Sequence, residues 1–409
     1  MDGFFYLIKY VLLQGFGLFI ALLAGAVFTY IVLRKLHSRK TAILLFVLFF
    51  GIFLFLYAPR AFPNQLQYPF GLTTYGPADS PALPLKNVYT FFSKLDQFER
   101  IPDIARDPND IPPPITRTEN ETVEITMTAK EVIAEMAPGV VMNYWTYDGR
   151  VPGPFVRILE GDTVHFTLKN DPTSIHRHNI DLHAVTGPGG GAVATNVAPG
   201  ESKTFTFKAL NPGLYVYHCA HPNVGNHMAH GMYGLILVQP KNIADLPAVD
   251  KEFYVMQGEF YPKGTIGTKG LQVMDAQKFL DGKPEYIVFN GKIGGAVGKM
   301  EAKTGETVRV YVGNGGVNLI SSFHAIGEIF DRVFPEGAIG SAPHQNVQTT
   351  LVPAGGATIV DFALQVPGTF IFVDHALARL DRGAYGNLKV TGDPDLSVFD
   401  GEISSGGGH

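Results

Sequence analysis

The sequence predicts an all-β protein of two tandem Greek-key sandwiches, preceded by a transmembrane α-helical hairpin. Three observations carry that reading. From Glu119 onward, short alternating apolar and polar stretches are separated by Gly, Pro and Asp turns, the pattern of a β-sandwich. Two segments then recur. EGDTVHFTLKN (160–170) is echoed by TGETVRVYVGN (304–314), and VAPGESKTFTFKALNPGLYVYHC (197–219) by VPAGGATIVDFALQVPGTFIFVDH (352–375). Ahead of both copies lie two long apolar runs, 4–33 and 41–57, divided by RKLHSRK.

Taken in order, residues 1–60 hold two transmembrane helices, since each apolar run has about the length that spans a bilayer. Lys9 is the one charge inside the first run after Asp2 and can snorkel to a membrane face. The basic loop is expected on the cytoplasmic side, which places the N-terminus and everything after residue 58 on the other side. The competing reading, a cleaved signal sequence over 41–57, conflicts with a first run too long for a leader. Residues 61–118 are a Pro-rich linker, expected to be extended, with apolar spacing for one short helix in NVYTFFSKLDQFERI. That helix fits either the globular part or the membrane surface. Residues 119–242 make the first sandwich and 243–392 the second, with the polar, Pro-containing QPKNIADLPAVD between them. Residues 393–409 form a flexible tail. A net charge of −5 gives no hint of nucleic-acid binding, and 46 Gly with 28 Pro suit a turn-rich β protein. A single cysteine excludes an intramolecular disulfide, and the lack of CxxCH excludes c-type haem.

That cysteine, Cys219, lies among His178, His183, His218, His227 and Met232 in IHRHNIDLHA and LYVYHCAHPNVGNHMAHGM. Thiolate, imidazole and thioether donors suit copper better than calcium or magnesium. If 214–219 is a strand, His218 and Cys219 point to opposite faces and serve two metals rather than one. His178 likewise points away from Asp181 and His183. One face then collects His178 and Cys219, with His227 and Met232 in reach, the composition of a blue-copper electron-transfer site. The other collects His183, His218 and the Asp181 carboxylate, an incomplete site that needs a ligand from elsewhere.

The run His178-Asn179-Ile180-Asp181-Leu182-His183, with His218-Cys219, His227 and Met232, resembles the copper-containing nitrite reductases, two-domain cupredoxin enzymes. The resemblance covers residues 120–392. It implies type 1 copper on His178, Cys219, His227 and Met232, and type 2 copper on His183, His218 and His375, one of each per chain. Asp181 and His324 are the implied catalytic residues, and Ile326 overhangs the substrate. The implied reaction is one-electron reduction of nitrite to nitric oxide in denitrification, in a homotrimer whose type 2 site takes His375 from a neighbouring chain. His375 also has support from the repeat, because it ends the strand that corresponds to the one bearing His218 and Cys219. An electron donor is required: a small cupredoxin, a cytochrome c or a membrane-bound donor. With the apolar hairpin, the expected location is a bacterial inner membrane, with lipid as a partner and the catalytic domains in the periplasm.

Other histidines crowd the same loops. His176 is left out because the family pattern begins at His178, and His230 yields to His227 because the step from His227 to Met232 matches. His165 lies mid-strand and reads as structural. Two other functions compete. A laccase-type multicopper oxidase needs an HxH pair bracketing the cysteine, but Ala220 follows Cys219 and His221 is one place too far. A non-catalytic, membrane-tethered cupredoxin electron carrier would leave Asp181, His183, His324 and His375 without a role.

Overall fold

The structure, a computed structural model, describes residues 91–401 and a few isolated helical positions between 23 and 51. The hairpin expected over 1–60, the linker up to residue 90 and the end of the tail lie outside the described residues. Among the described residues no helix is long and apolar enough to cross a membrane.

Alternating burial sets one face of each strand inward, as period-two patterning requires. Thr163–Asn170, for example, buries Val164, Phe166 and Leu168 and turns Thr163, His165 and Thr167 outward. The first repeat forms two facing sheets, one of them extended at its edge by Gly270–Gln272 from the second half of the chain. One runs, in spatial order, Gly270–Gln272, Val140–Tyr147, Thr122–Ala137, Thr163–Asn170, Ser202–Lys208; the other runs Val156–Leu159, Tyr233–Gln239, Gly213–His218, Asp181–Leu182. Between them Trp145, Phe166, Leu182, Tyr217, Ile236, Cys219 and Met232 pack in one core. Cys219 and Met232 are therefore interior residues of this sandwich before they are anything else.

The second repeat builds two more sheets from strands between Lys251 and Thr391. The echo seen in the sequence is an echo in register. Thr163 pairs antiparallel with Lys208 in the first copy, and Thr307 with Ala363 in the second. In both copies a four-residue turn leads to the next strand, Gly213–His218 or Gly368–Asp374. A third core joins the two sandwiches, with Tyr144, Val216 and Leu235 from the first against Tyr254, Met256 and Tyr311 from the second. Its polar ends are satisfied across the junction: the Tyr144 hydroxyl donates to the Gly291 carbonyl at 3.0 Å and the Tyr254 hydroxyl to that of Gly153 at 3.2 Å.

The short helix of the linker is present as a helical turn over residues 91–94 followed by a 3₁₀ turn, Leu95–Gln97. Its place is on the first sandwich. Phe91, Phe92, Leu95 and Phe98 are buried on Ile133, with Val141, Ile175 and Leu271 around them. Glu99–Arg100 then adds in parallel to Thr122–Ala137, and the Lys130 ammonium reaches the Glu99 carboxylate at 2.5 Å. Four apolar side chains buried from one short segment, each worth roughly 1.5–3 kcal/mol, hold it in place more firmly than one exposed ion pair does. Leu95→Ala is accordingly expected to cost about 2–5 kcal/mol of stability, read as a lower denaturant midpoint in a chain beginning near residue 91. An unchanged midpoint would show that the segment lies outside the cooperative unit.

Candidate metal centres

Two clusters of metal-binding side chains form on opposite sides of one strand end. Gly213–His218 pairs with Asp181–Leu182 so that Asp181 stands opposite His218. His178 is held three residues upstream by a two-way backbone bridge to Val197, with N–H to O distances of 3.1 and 2.9 Å. These pairings keep both stretches extended, so alternation sends His178 and Cys219 to one side, and Asp181, His183 and His218 to the other.

On the buried side, one ligand atom each from His178, Cys219 and His227 lies within 4.8 Å of the other two. His178 Nδ1 is 3.3 Å from His227 Nδ1, and Cys219 Sγ is 3.3 Å from His227 Nδ1 and 3.9 Å from His178 Nδ1. His227 comes from a one-turn helix, Val224–Met228. Met232 follows it and is fully buried, and its backbone carbonyl accepts the Cys219 N–H at 3.1 Å. The Asn179 backbone N–H lies 3.5 Å from Cys219 Sγ, and the Asn179 side-chain oxygen accepts the Ala220 N–H at 2.7 Å, which ties the loops together.

Burial pushes the Cys219 thiol up to about 12. Burial first, and then the neighbouring His178, hold His227 well below its ordinary range, and burial lowers His178 as well. The pocket thus rejects protons on its imidazoles and keeps the thiol neutral unless a cation replaces the proton. The spacing fits that cation: two imidazole nitrogens bound at about 2.0–2.1 Å with a near-tetrahedral angle stand about 3.3 Å apart. A soft thiolate, two imidazoles and a thioether suit copper.

On the other side Asp181, His183 and His218 form the second cluster. His183 Nε2 and His218 Nε2 are 3.0 Å apart, and an Asp181 oxygen is 4.0 Å from His218 Nε2. His218 Nδ1 lies 3.1 Å from the Cys219 carbonyl, the place for its N–H, which leaves Nε2 as the lone-pair donor. Burial, then His183, depress His218 below its usual range. His183 is exposed, so this pair opens to the surface of the chain.

His324 and His375 meet elsewhere. Their rings are 5.3 Å apart, with His324 Nδ1 2.5 Å from the Gln348 carbonyl and the His375 N–H donating to the Ser322 carbonyl at 2.8 Å. Ile326 shares the His324 face of strand Ser321–Ile326 by parity and is half-buried. Neither histidine joins the Asp181 cluster within one chain.

His176 and His230 stand outside both clusters. Each packs on a face of the sole tryptophan, Trp145, at centroid distances of 4.2 and 4.3 Å, and His230 Nδ1 lies 2.7 Å from the Asn226 carbonyl. His165 pairs with exposed Glu124.

Sequence reasoning missed three supporting residues. Asp374, fully buried, accepts from Arg379, Gln257, Ser322 N–H and Ala376 N–H, and so fixes the corner that presents His375. Trp145, the one tryptophan of the sequence, carries no local signal of its place between His176 and His230. Gly190, at φ +54°, comes so near Asp181 that a Cβ would stand 2.0 Å from the carboxylate oxygen. The surrounding GPGGGA carries no local sign of that close approach.

A family profile described as multicopper oxidase matches residues 128–243. The copper-containing nitrite reductase of Neisseria meningitidis serogroup A is 52% identical over 298 residues, 72% of this chain and 76% of that protein. The chain belongs to the copper-containing nitrite reductase family. Its likeness to the nitrite reductase of Neisseria gonorrhoeae is also 52% over 298 residues, 72% of this chain and 75% of that one. Among solved structures, the copper nitrite reductase of Nitrosomonas europaea matches with a TM-score of 0.61 at 37% identity, over 67% of this chain and 95% of that one. The nitrite reductase family thus accounts for the all-β, cupredoxin-like fold.

Beyond Ile326, burial and then Asp331 push the Glu328 carboxyl up to about 7. Its folded value lies above an unfolded value of about 4.3, so the folded state holds the extra proton between those values and loses stability as pH rises through them. Glu328→Gln is expected to flatten that loss, seen by comparing denaturant midpoints at pH 5 and pH 8. Equal slopes in both proteins would remove Glu328 as the cause.

Proposed function

We propose that the chain reduces nitrite to nitric oxide, nitrite taking one electron and two protons and releasing water. The observation that carries this reading is the pair of clusters built on consecutive residues, Cys219 facing one and His218 the other. The covalent path between them is one peptide unit, with Cα atoms about 3.8 Å apart. Copper would supply the redox chemistry when bound, an electron-accepting ion on the Cys219 side and a Lewis acid for nitrite on the His218 side.

His178, Cys219, His227 and Met232 would hold the first metal, and His183, His218 and His375 the second, one of each per chain. Three imidazoles leave room for nitrite at the second. Asp181 holds a proton where a departing oxygen would lie, and Gly190 keeps its carboxylate in that place. His324 supplies the second proton, directly or through a water, within hydrogen-bond reach of the substrate. Ile326 caps the pocket.

His375 acts in trans in this proposal, and the working unit is a homotrimer. What supports it is the separation of His324 and His375 from the Asp181 cluster, together with exposed apolar residues close to them along the chain, Ile320, Ile329 and Leu377, and Leu351, which pairs opposite Ser322. Exposed apolar side chains beside a functional pair are suited to a covering subunit. The electron comes from a small cupredoxin, a cytochrome c or a membrane-bound donor, and the apolar N-terminal runs anchor the chain in lipid with the catalytic domains in the periplasm of a denitrifying bacterium. The oxidase reading is not favoured, because Ala220 occupies the place where a histidine would have to follow Cys219.

Asp181→Asn is expected to keep both copper EPR signals and lose about 10²–10⁴-fold in nitrite turnover. Gly190→Ala should act the same way through displacement of the carboxylate, with a loss of about 10²-fold. Full turnover in Asp181→Asn would take the residue out of the reaction. Subunit sharing has its own measurement: His183→Ala and His375→Ala, each inactive alone, should regain activity when co-expressed. Failure of co-expressed, properly assembled mixtures to recover would place the whole type 2 site in one chain.

A further inference from the structure

One fully buried acidic side chain has no part in the reading above. Glu131 projects from the strand Thr122–Ala137 opposite Trp145 and is 0% exposed. Its Oε1 accepts the backbone N–H groups of Ile175 and His176 at 2.8 and 2.9 Å, and lies 3.1 Å from His176 Nδ1. The same oxygen is 3.6 Å from His178 Nε2. Among the described residues its ion pairs are with these two histidines, and neither Lys nor Arg reaches it. Glu131 Oε2 and His178 Nε2 both lack a hydrogen-bond partner, although each is sealed from water. The seal is completed by the linker segment, since Phe91, Phe92, Leu95 and Phe98 close over Ile133 and Ile175, the neighbours of Glu131 on its strand and of His176 on its loop.

A buried carboxylate without a cation is costly and persists where a compensating charge exists. The opposite side of the His178 ring offers one. His178 turns Nδ1 toward Cys219 and His227, and Nε2 toward Glu131. When Nδ1 binds a cation, Nε2 must carry the proton, and its N–H then points toward the carboxylate. Such an outer carboxylate orients a ligating histidine and raises its basicity. We propose that Glu131 is a positioning residue of the type 1 site: it fixes the tautomer and ring plane of His178 and supplies the buried negative charge that favours Cu(II) over Cu(I). The assignment rests on the reading of His178, Cys219 and His227 as the type 1 ligands. The low-dielectric surroundings amplify the effect, since an oxidised centre with one thiolate keeps a net positive charge that Glu131 offsets, and a reduced one does not.

The test is a redox titration of the purified, copper-loaded full-length protein, following the thiolate-to-copper absorption band, in wild type, Glu131→Gln and Glu131→Asp. Glu131→Gln keeps an oxygen for the two backbone N–H groups and removes the charge. It is expected to shift the Cu(II)/Cu(I) equilibrium at least tenfold toward Cu(I), about 59 mV upward for one electron, with the type 2 EPR signal unchanged. Glu131→Asp keeps the charge but withdraws it by one methylene, and should alter the type 1 hyperfine splitting with a smaller shift in potential. A folded, copper-loaded Glu131→Gln with wild-type potential and hyperfine splitting overturns the assignment. Should Gln fail to fold, Asp with both quantities unaltered overturns it equally. Lack of the charge-transfer band in copper-loaded wild type would instead overturn the type 1 reading itself, so the two failures are distinguishable.

Discussion

The alternation of side chains along an extended backbone is the constraint on which the rest of the molecule depends. Because His218 and Cys219 are neighbours at the end of a strand, they must face opposite ways, and the antiparallel pairing of Asp181 with His218 keeps that strand end extended. From this one geometric fact come two separate donor clusters, one covalent link between them, and a division of labour between a buried site and an open one. A helix at this place would have fanned the two side chains by about 100° on one surface. The β-sandwich is thus the part of the fold that creates the chemistry, and the tight turns and loops fill in the remaining ligands.

Burial then differentiates the clusters. Around Cys219 the sandwich core, Trp145 and the loop 220–232 exclude water, so the thiol and imidazoles are held in uncharged forms and their lone pairs converge on a space that a cation fits. A rigid, dry pocket of this kind limits rearrangement when one electron arrives, which is what an electron-transfer site requires. Around His183 the wall is missing on one side. A small anion can approach there, and Asp181 is held at the rim by the close passage of Gly190. The same physics of desolvation, applied to opposite extents across one peptide bond, gives one site suited to electrons and one suited to substrate.

How much of this was readable in advance follows from which forces are local. Strand periodicity, the repeat, and the donor sets on either side of Cys219 are properties of short stretches, and alternation alone separates His178 and Cys219 from Asp181, His183 and His218, as the two clusters are separated. The choice of His227 over His230 needed the resemblance; in the structure His227 Nδ1 lies 3.3 Å from Cys219 Sγ, while His230 stacks on Trp145 with its Nδ1 2.7 Å from the Asn226 carbonyl. Glu131, Gly190 and Asp374 were illegible, since each acts on a group distant in sequence through packing or a buried hydrogen bond. Glu131 lies 47 positions before His178, and in sequence it is one charge among the 37 acidic residues. The linker helix was visible as a pattern, but its partner was not, because the surface that receives it is assembled from four separate segments.

The second repeat shows what duplication left behind. His375 directly follows the strand that corresponds to the one ending before Cys219, and His324 stands one strand away, so the second sandwich offers two imidazoles at the corner where the first offers a thiolate. Without a cysteine or the loop that supplies His227 and Met232, that corner cannot close a metal site of its own. Nor can the His183 and His218 pair of the first sandwich, which opens outward with two imidazoles. Both pairs reach the surface through an exposed histidine, His183 in the first and His375 in the second. In the proposed trimer, repeating the chain around an axis would bring the first pair of each copy to the second pair of the next, since a closed ring leaves no heterologous surface unpaired.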